Sequence, residues 1–325
     1  MFPKIALDPI LAADTGGTII KLGVVQNGTV LAGKSIPAQS DRPLAERLPV
    51  IAGVWRELCR EAGVAPRDCA GIGISFPSIM NPVTGRILTH FGKYVDAMEI
   101  DFKRWAKDLF GLPLTIENDA RAALIGEWQY GAGRNCDNLV MITLGTGLGS
   151  AALINGHPLR GKHGQAAILG GHSTLNHAGA ICRVCGNIGC AENEASTASL
   201  PLHAKSMTGF EQSLLAREAT IDYMAVFRLA ALGDRVCRQL RDQSLGVWGA
   251  FAANLVLAYD PERVLIGGGI SASDEVIGAI REYIHQHALT PWGKVAVERA
   301  GLGDDAALLG CEWLGRNTTP AATLP

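Results

Sequence analysis

ADTGGTIIKLGVVQNGTVLAGKS at positions 13–35 and TLGTGLGSAALINGHPLRGKH at 143–163 are the two stretches whose reading decides the fold. Laid over each other, Gly17-Thr18, Asn27-Gly28 and Gly33-Lys34 fall on Gly145-Thr146, Asn155-Gly156 and Gly161-Lys162 with identical internal spacing. Each copy reads as an apolar strand, a Gly/Thr turn, a second apolar strand, an Asn-Gly turn and a third strand. Asn-Gly suits a two-residue type I′ hairpin turn, because both central residues must adopt positive φ. The Gly/Thr turns have another use: glycine lets backbone N–H groups approach an anion closely, and Thr adds a hydroxyl donor. A duplication is therefore expected, with one polyanion-binding hairpin in each half. Facing each other across a cleft, the two would hold a nucleotide's phosphates from both sides. A lone GTG turn is weak evidence; two copies in register, the first opened by Asp14, are much stronger.

The rest of the chain fits two domains. It has 325 residues, 48% hydrophobic and 18% charged, enough apolar material for two cores. A formal net charge of -2 leaves no whole-chain footprint for nucleic acid or an anionic membrane. No apolar run reaches the ~18 residues of a membrane span, and the N-terminus has no secretory leader pattern. A cytoplasmic protein is expected. Five of the eight cysteines are scattered, as small buried residues often are. Cys182, Cys185 and Cys190 are clustered.

Strand and helix signals alternate along both halves, which argues for an α/β architecture. An amphipathic segment runs from about Leu44 to Ala62, followed by a buried strand at Gly71–Ser75, a helix around Phe102–Phe110 and a short strand at Leu112–Ile116. The second half repeats the hairpin unit and passes through the cysteine loop. Helix Val247–Tyr259 follows, then a buried strand at Arg263–Gly269 and a last helix. The expected division is an N-terminal lobe over 1–118 and a C-terminal lobe over 119–305 carrying a zinc loop at 172–192. The helix at about 306–316 would return to the first lobe, and 317–325 would be a disordered tail.

Three places carry chemistry. Asp119 follows an apolar strand and opens a helix, the location where α/β folds set catalytic groups, and it could take a proton from a hydroxyl. A bland role for Asn118 or Asp119 as helix N-cap is equally open from this segment alone. The glycines at Gly267–Gly269 end a strand, where a nucleotide's base or ribose could approach the backbone, though a tight turn alone would use them too. His172, Cys182, Cys185 and Cys190 offer three thiolates and an imidazole, a tetrahedral zinc set, with His177 as a competing fourth ligand. With all four positions filled by protein, such a site is structural. Neither glycine hairpin is followed by the Lys-Ser/Thr pair of a P-loop.

In order, DTGGT at Asp14, ENDA at Glu117, LGTGLG at Leu144, GH at Gly171, CGNIGCAE at Cys185 and DPERVLIGGG at Asp260 resemble the motifs of ROK-family sugar kinases, from about Ala12 to Leu314. The resemblance implies a two-lobed actin/hexokinase-like fold, a duplicated RNase H-like α/β unit with a cleft between lobes. It implies ATP, Mg²⁺, a structural Zn²⁺, and transfer of the γ-phosphoryl to a hydroxyl of a hexose or hexose derivative. By the same resemblance Asp119 is the catalytic base, and Asn118, His172 and Glu192 bind sugar. Asp14, Gly16, Gly17, Thr18, Gly145, Thr146, Gly147, Gly268 and Gly269 handle ATP and metal. His172, Cys182, Cys185 and Cys190 hold zinc. A homodimer or homotetramer is implied, with sugar and ATP as small-molecule partners and neither nucleic acid nor membrane.

The departures fall on the acceptor side. Leu169 stands where the family has a sugar-binding Glu, and THFGKY at Thr89–Tyr94 replaces an Asn-Leu-Pro-type contact. Pro77-Ser78 replaces Pro-Gly, and the cysteines run CxxCG instead of CxCG. Lys93, Tyr94 and Gln165 are candidate replacements for the lost contacts. Kinase activity is thus better supported than any named sugar. The family's repressors place a helix-turn-helix before the kinase-like body; here Asp14 comes almost at once, and no such segment is expected. A non-catalytic sugar sensor is the remaining alternative.

Overall fold

The two Asn-Gly turns form as their sequence requires: φ is 53° at Asn27 and 74° at Gly28, and 50° at Asn155 and 71° at Gly156. They close hairpins in two sheets of the computed structural model, which describes residues 7–317. In chain order the first half holds β1 (Ile10–Thr15), β2 (Ile19–Gln26), β3 (Thr29–Pro37), α1 (Leu44–Glu61), β4 (Gly71–Phe76), α2 (Phe102–Phe110), β5 (Leu114–Asn118) and α3 (Asp119–Tyr130). Next come β6 (Leu139–Leu144), β7 (Leu148–Ile154), β8 (His157–Pro158), α4 (Ala191–Ala195), α5 (Leu200–Ser206), α6 (Tyr223–Ala231) and α7 (Arg235–Tyr259). The chain ends with β9 (Arg263–Gly267), α8 (Asp274–His287), β10 (Ala296–Arg299) and α9 (Ala306–Arg316).

The duplication is visible in the topology. One sheet has the order β3-β2-β1-β4-β5, the other β8-β7-β6-β9-β10 when read from the hairpin edge. In each, the first strand is antiparallel to its hairpin partner and parallel to the strand on its other side. The third sequence match is not structural, however. Gly33 lies within β3, whereas Gly161 has φ of 65° and lies beyond β8, which is only two residues long.

Contacts divide the described residues into one unit of 7–135, 158–166 and 301–317, and a second of 136–157 and 167–300. The division expected at Asp119 is therefore displaced, and α3 belongs to the first unit. The reason is glycine. A Cβ on Gly126 would lie 2.0 Å from Ala306 O, and one on Gly310 would lie 1.9 Å from Ala122 O, so α3 and α9 pack backbone to backbone. Gly73 lets α9 approach β4 in the same way, with Cys311 O 2.1 Å from its would-be Cβ. The C-terminal helix thus packs within the first unit. There Glu312 accepts both N–H groups of the Asn27-Gly28 turn, each at 2.7 Å. The tail expected to be disordered lies, beyond Asn317, outside the described residues.

In the first unit α1 buries Leu44, Leu48, Ile51, Trp55 and Leu58, the spacing of one helical face, and the Trp55 indole N–H donates to Ala12 O on β1 (3.0 Å). In the second, α7 buries Trp248, Phe251, Ala252, Leu255 and Val256, and the Trp248 indole N–H donates to Ala195 O (3.0 Å).

Candidate active site

Strand β5 runs two residues further than expected, so that Asn118 ends it and Asp119 is the first residue of α3. The two readings of this segment then separate by residue. Asn118 is the N-cap: its Oδ1 accepts from the Arg121 N–H at 3.2 Å. Its Nδ2 donates to Asp119 Oδ1 (2.9 Å) and Ser78 O (3.2 Å). Asp119 Oδ1 also accepts from the Ala120 N–H at 2.8 Å. Burial pushes the Asp119 carboxyl up to about 6, and the Asp14 charge adds to this against the opposing Ala120 N–H, Lys93 and Asn118. A carboxyl poised near neutrality is suited to general-base work.

Directly before this pair, Glu117 points into a separate buried ion cluster. Its Oε1 accepts from Arg121 (2.5 Å) and its Oε2 from Arg160 (2.7 Å). Burial opposes ionisation there, but the two guanidinium groups outweigh it and hold Glu117 below its ordinary range. Arg121 reaches on to Gly164 O and Ala166 O, so the cluster pins 158–166 against the strand end that carries Asp119. A cavity of about 400 Å³ runs along β5 beside this cluster, lined by Glu117, Arg121, Arg160 and Lys103 but not by Asp119.

The first glycine turn lies in the same unit. Asp14 is the penultimate residue of β1. Its Oδ1 accepts from Ser75 Oγ (2.7 Å), and among the described residues Oδ2 has no hydrogen-bond partner. Burial raises its carboxyl, with Ser75 and Lys21 opposing. Gly16 and Gly17 have no positive φ; they are glycine for space. A Cβ on Gly16 would meet Ile19 O at 2.7 Å, and one on Gly17 would meet the end of Lys93 at 2.9 Å. Thr18 is exposed at the tip. The Tyr94 hydroxyl, one of the candidate sugar contacts, is fully buried and donates to Gly16 O at 2.9 Å, so it braces the turn instead. Gln165 is exposed.

In the second unit the Gly145-Thr146-Gly147 turn is tied down on both sides. Its carbonyls at Gly145 and Thr146 accept from the N–H groups of Thr197 (3.0 Å) and Ala198 (3.1 Å). Glu192 Oε2 accepts from the Leu148 N–H (3.0 Å) and lies 2.6 Å from where a Gly147 Cβ would be. One oxygen of this expected sugar ligand is therefore occupied with the hairpin. Gly268 needs glycine twice over, with φ of 82° and a would-be Cβ 2.3 Å from Leu144 O. Gly145 and Gly269 join Thr197, Asp222, Tyr223, Met224, Phe227 and Ile270 around a cavity of about 430 Å³. Its size suits a small ligand. The α6 residues were not read from the sequence, because Tyr223 and Phe227 look like any apolar helix face.

His172, Cys182, Cys185 and Cys190 place one potential ligand atom each within 4.8 Å of one another. His177 is exposed and outside this group. The Cys182–Gly186 segment forms a tight turn: Gly186, at φ of 75°, donates its N–H to Cys182 O (2.9 Å). Among the described residues His172 Nδ1 is buried without a hydrogen-bond partner, an arrangement that a metal ion would satisfy.

Comparison with known proteins decides the family, since the ROK family profile matches residues 10–318. The chain belongs to the ROK family. It is 30% identical to a glucokinase of Halalkalibacterium halodurans over 94% of each chain. It is 31% identical to a xylose repressor of Caldicellulosiruptor bescii over 78% of this chain but 64% of that one. Among solved structures, a ROK hexokinase from Thermus thermophilus superposes with a TM-score of 0.80 at 29% identity, covering 94% of this chain and 97% of that one. A ROK glucokinase from Streptomyces griseus, in complex with glucose and AMPPNP, gives a TM-score of 0.75 at 29% identity over 95% and 99%. The fold is the two-lobed α/β fold of these hexokinases.

Proposed function

We propose that this chain is an ATP-dependent sugar kinase that transfers the γ-phosphoryl of ATP to a hydroxyl of a hexose or hexose derivative. The observation that carries the reading is Asp119, a half-buried carboxyl at the end of β5 with its pKa near 6, in the same unit as Asp14 and the Gly16-Gly17 turn. The full-length likeness to glucokinases and hexokinases supports it. Asp119 orients the acceptor hydroxyl and takes its proton as the oxygen attacks phosphorus. Asn118 fixes the Asp119 carboxylate through its amide and keeps it aimed. Phosphoryl transfer needs positioning and charge neutralisation more than covalent help from the protein. Asp14, with an oxygen left open, is a fitting ligand for Mg²⁺, which when bound supplies charge neutralisation to the phosphates. The Gly145–Gly147 and Gly268–Gly269 turns and the α6 cavity hold the nucleotide, and Glu192 and His172 contact the sugar.

The same reading gives the cysteine loop a structural zinc, held by Cys182, Cys185, Cys190 and His172. The family's repressors offer the second reading. Here a retained carboxylate with a tuned pKa favours catalysis over sensing. ADP release measured against a panel of hexoses, amino sugars and deoxy sugars tests the proposal. Release that depends on one or more sugars supports it, and release that no sugar stimulates rejects it.

A further inference from the structure

We infer that Lys93 neutralises the phosphoryl group while it is in flight between ATP and the acceptor, an assignment that rests on the kinase reading above. Lys93 sits in the THFGKY segment, Thr89–Tyr94, where the family resemblance leads one to expect a sugar contact. The segment is not a slack loop. Phe91, Gly92 and Tyr94 have φ of 43°, 77° and 49°, a left-handed backbone that costs energy at Phe and Tyr and persists only where the surroundings impose it.

Three of the imposing contacts lead to the first glycine turn. Tyr94 is fully buried; its hydroxyl donates to Gly16 O (2.9 Å) and its N–H to Ser40 O (2.8 Å). Ser40 Oγ donates in turn to Gly17 O (2.7 Å). Between these clamps the Lys93 side chain passes directly over Gly17. A Cβ placed on Gly17 would lie 2.9 Å from Lys93 Cε, 3.0 Å from Nζ and 3.3 Å from Cδ. The space that a side chain at 17 would take is thus given to this lysine. Its ammonium makes no hydrogen bond or ion pair among the described residues. It is nonetheless close enough for its charge to be felt at Asp119.

A half-buried cation that is held over an anion-binding turn, near the Asp119 carboxylate but not paired with it among the described residues, is left with a partner to satisfy. A phosphoryl oxyanion has the charge and the place. In the transfer, the acceptor oxygen forms a bond to Pγ, and the bond from Pγ to the bridging oxygen breaks with its electron pair going to ADP. The hydroxyl proton passes to Asp119. Lys93 stays protonated throughout and donates a hydrogen bond to an equatorial oxygen of the moving group. A sugar-binding lysine would instead act on the acceptor in the ground state and show itself in KM.

The test compares wild type, Lys93→Met and Lys93→Arg as full chains, with MgATP and the acceptor that wild type uses best. Expected for Lys93→Met is a fall in kcat of about 10²-fold, the usual loss for one preorganised transition-state donor, with acceptor KM within about threefold. Lys93→Arg should restore most of the rate. The groups facing Asp119 are Asp14 on β1, which raises its pKa, and Asn118, the Ala120 N–H and Lys93, which lower it. Removing Lys93 should therefore move the acid limb of kcat/KM to higher pH. If Lys93→Met melts below the assay temperature, Tyr94→Phe, which unclasps the segment from Gly16, must lower kcat in the same sense. A tenfold rise in acceptor KM at unchanged kcat overturns the inference and makes Lys93 a sugar contact. A rate and pH profile equal to wild type overturn it outright. Wild-type protein that transfers phosphate to no acceptor removes the kinase reading and this inference with it, whereas active wild type with unimpaired Lys93→Met removes this inference alone.

Discussion

Replacing Asp119 by Asn should make the protein slower and more stable at once. Asn keeps an oxygen to accept from the Ala120 and Asn118 N–H groups, now at 2.8 and 2.9 Å, so the strand end is preserved. It cannot take a proton, and losing a positioned general base costs about 10²–10⁴-fold in turnover. The stability effect follows from the raised pKa. Because folding lifts Asp119 from 3.8 to about 6, its contribution is fully present only below 3.8 and is lost as pH climbs through about 6. At pH 7 the buried charge costs at most about 3 kcal/mol, which the neutral amide does not incur. Without nucleotide, Asp119→Asn should thus melt above wild type by roughly 2–6 °C at pH 7.5, with the gap closing as pH falls towards 4. Thermal denaturation at several pH values and coupled ADP-release kinetics read both effects. Turnover within threefold of wild type would remove Asp119 as base. A melting difference that does not vary with pH would remove the buried-charge argument.

Three further outcomes are expected. Purified protein should carry about one zinc per chain; His172→Ala should lose it and His177→Ala keep it. Because Cys190 adjoins the α4 segment whose Glu192 holds the Leu148 N–H, chelation should also raise the KM values; metal-free purified protein that is fully active contradicts this. Phe227→Ala, in the α6 cavity wall, should weaken ATP binding about tenfold at nearly unchanged kcat, and an unchanged ATP KM would move the nucleotide base elsewhere. Leu169 cannot accept the hydrogen bonds that a carboxylate there would, so glucose should be a poor acceptor and Leu169→Glu should improve it relative to the preferred sugar; kcat/KM for glucose above about 10⁵ M⁻¹s⁻¹ in wild type contradicts this.

Local rules carried the sequence reading where they govern the structure. Asn-Gly fixed both hairpin turns, the period of apolar residues placed α1, and the strand-then-helix pattern put Asp119 at the end of β5 within two residues. The reading failed where the deciding contact is between distant residues. Gly126 and Gly310 look like unremarkable helix glycines; only their backbone contact draws α3 into the first unit and shifts the boundary from Asp119 to Asn135. Gly161-Lys162 matches Gly33-Lys34 in spacing, yet the second copy's third strand ends after two residues. The glycines of the phosphate turns are expected from the sequence to serve close approach of backbone to an anion; what the fold adds is that Gly16, Gly17 and Gly147, none with positive φ, are also crowded by Ile19 O, the end of Lys93 and the Glu192 carboxylate. From the sequence Tyr94 is a candidate replacement for a missing sugar contact, and the fold gives its hydroxyl another task. That its hydroxyl points back to Gly16 O depends on a left-handed segment that no propensity announces.

The central claim is that this chain moves phosphate from ATP to a sugar hydroxyl with Asp119 as base. The most direct measurement is ³¹P NMR of wild-type protein with MgATP and each acceptor in turn, beside the Asp119→Asn variant. The account predicts a phosphate monoester resonance growing in step with ADP for at least one hexose or hexose derivative, and almost absent with Asp119→Asn. ADP accompanied only by inorganic phosphate, or a sugar phosphate formed equally fast by the variant, would contradict it.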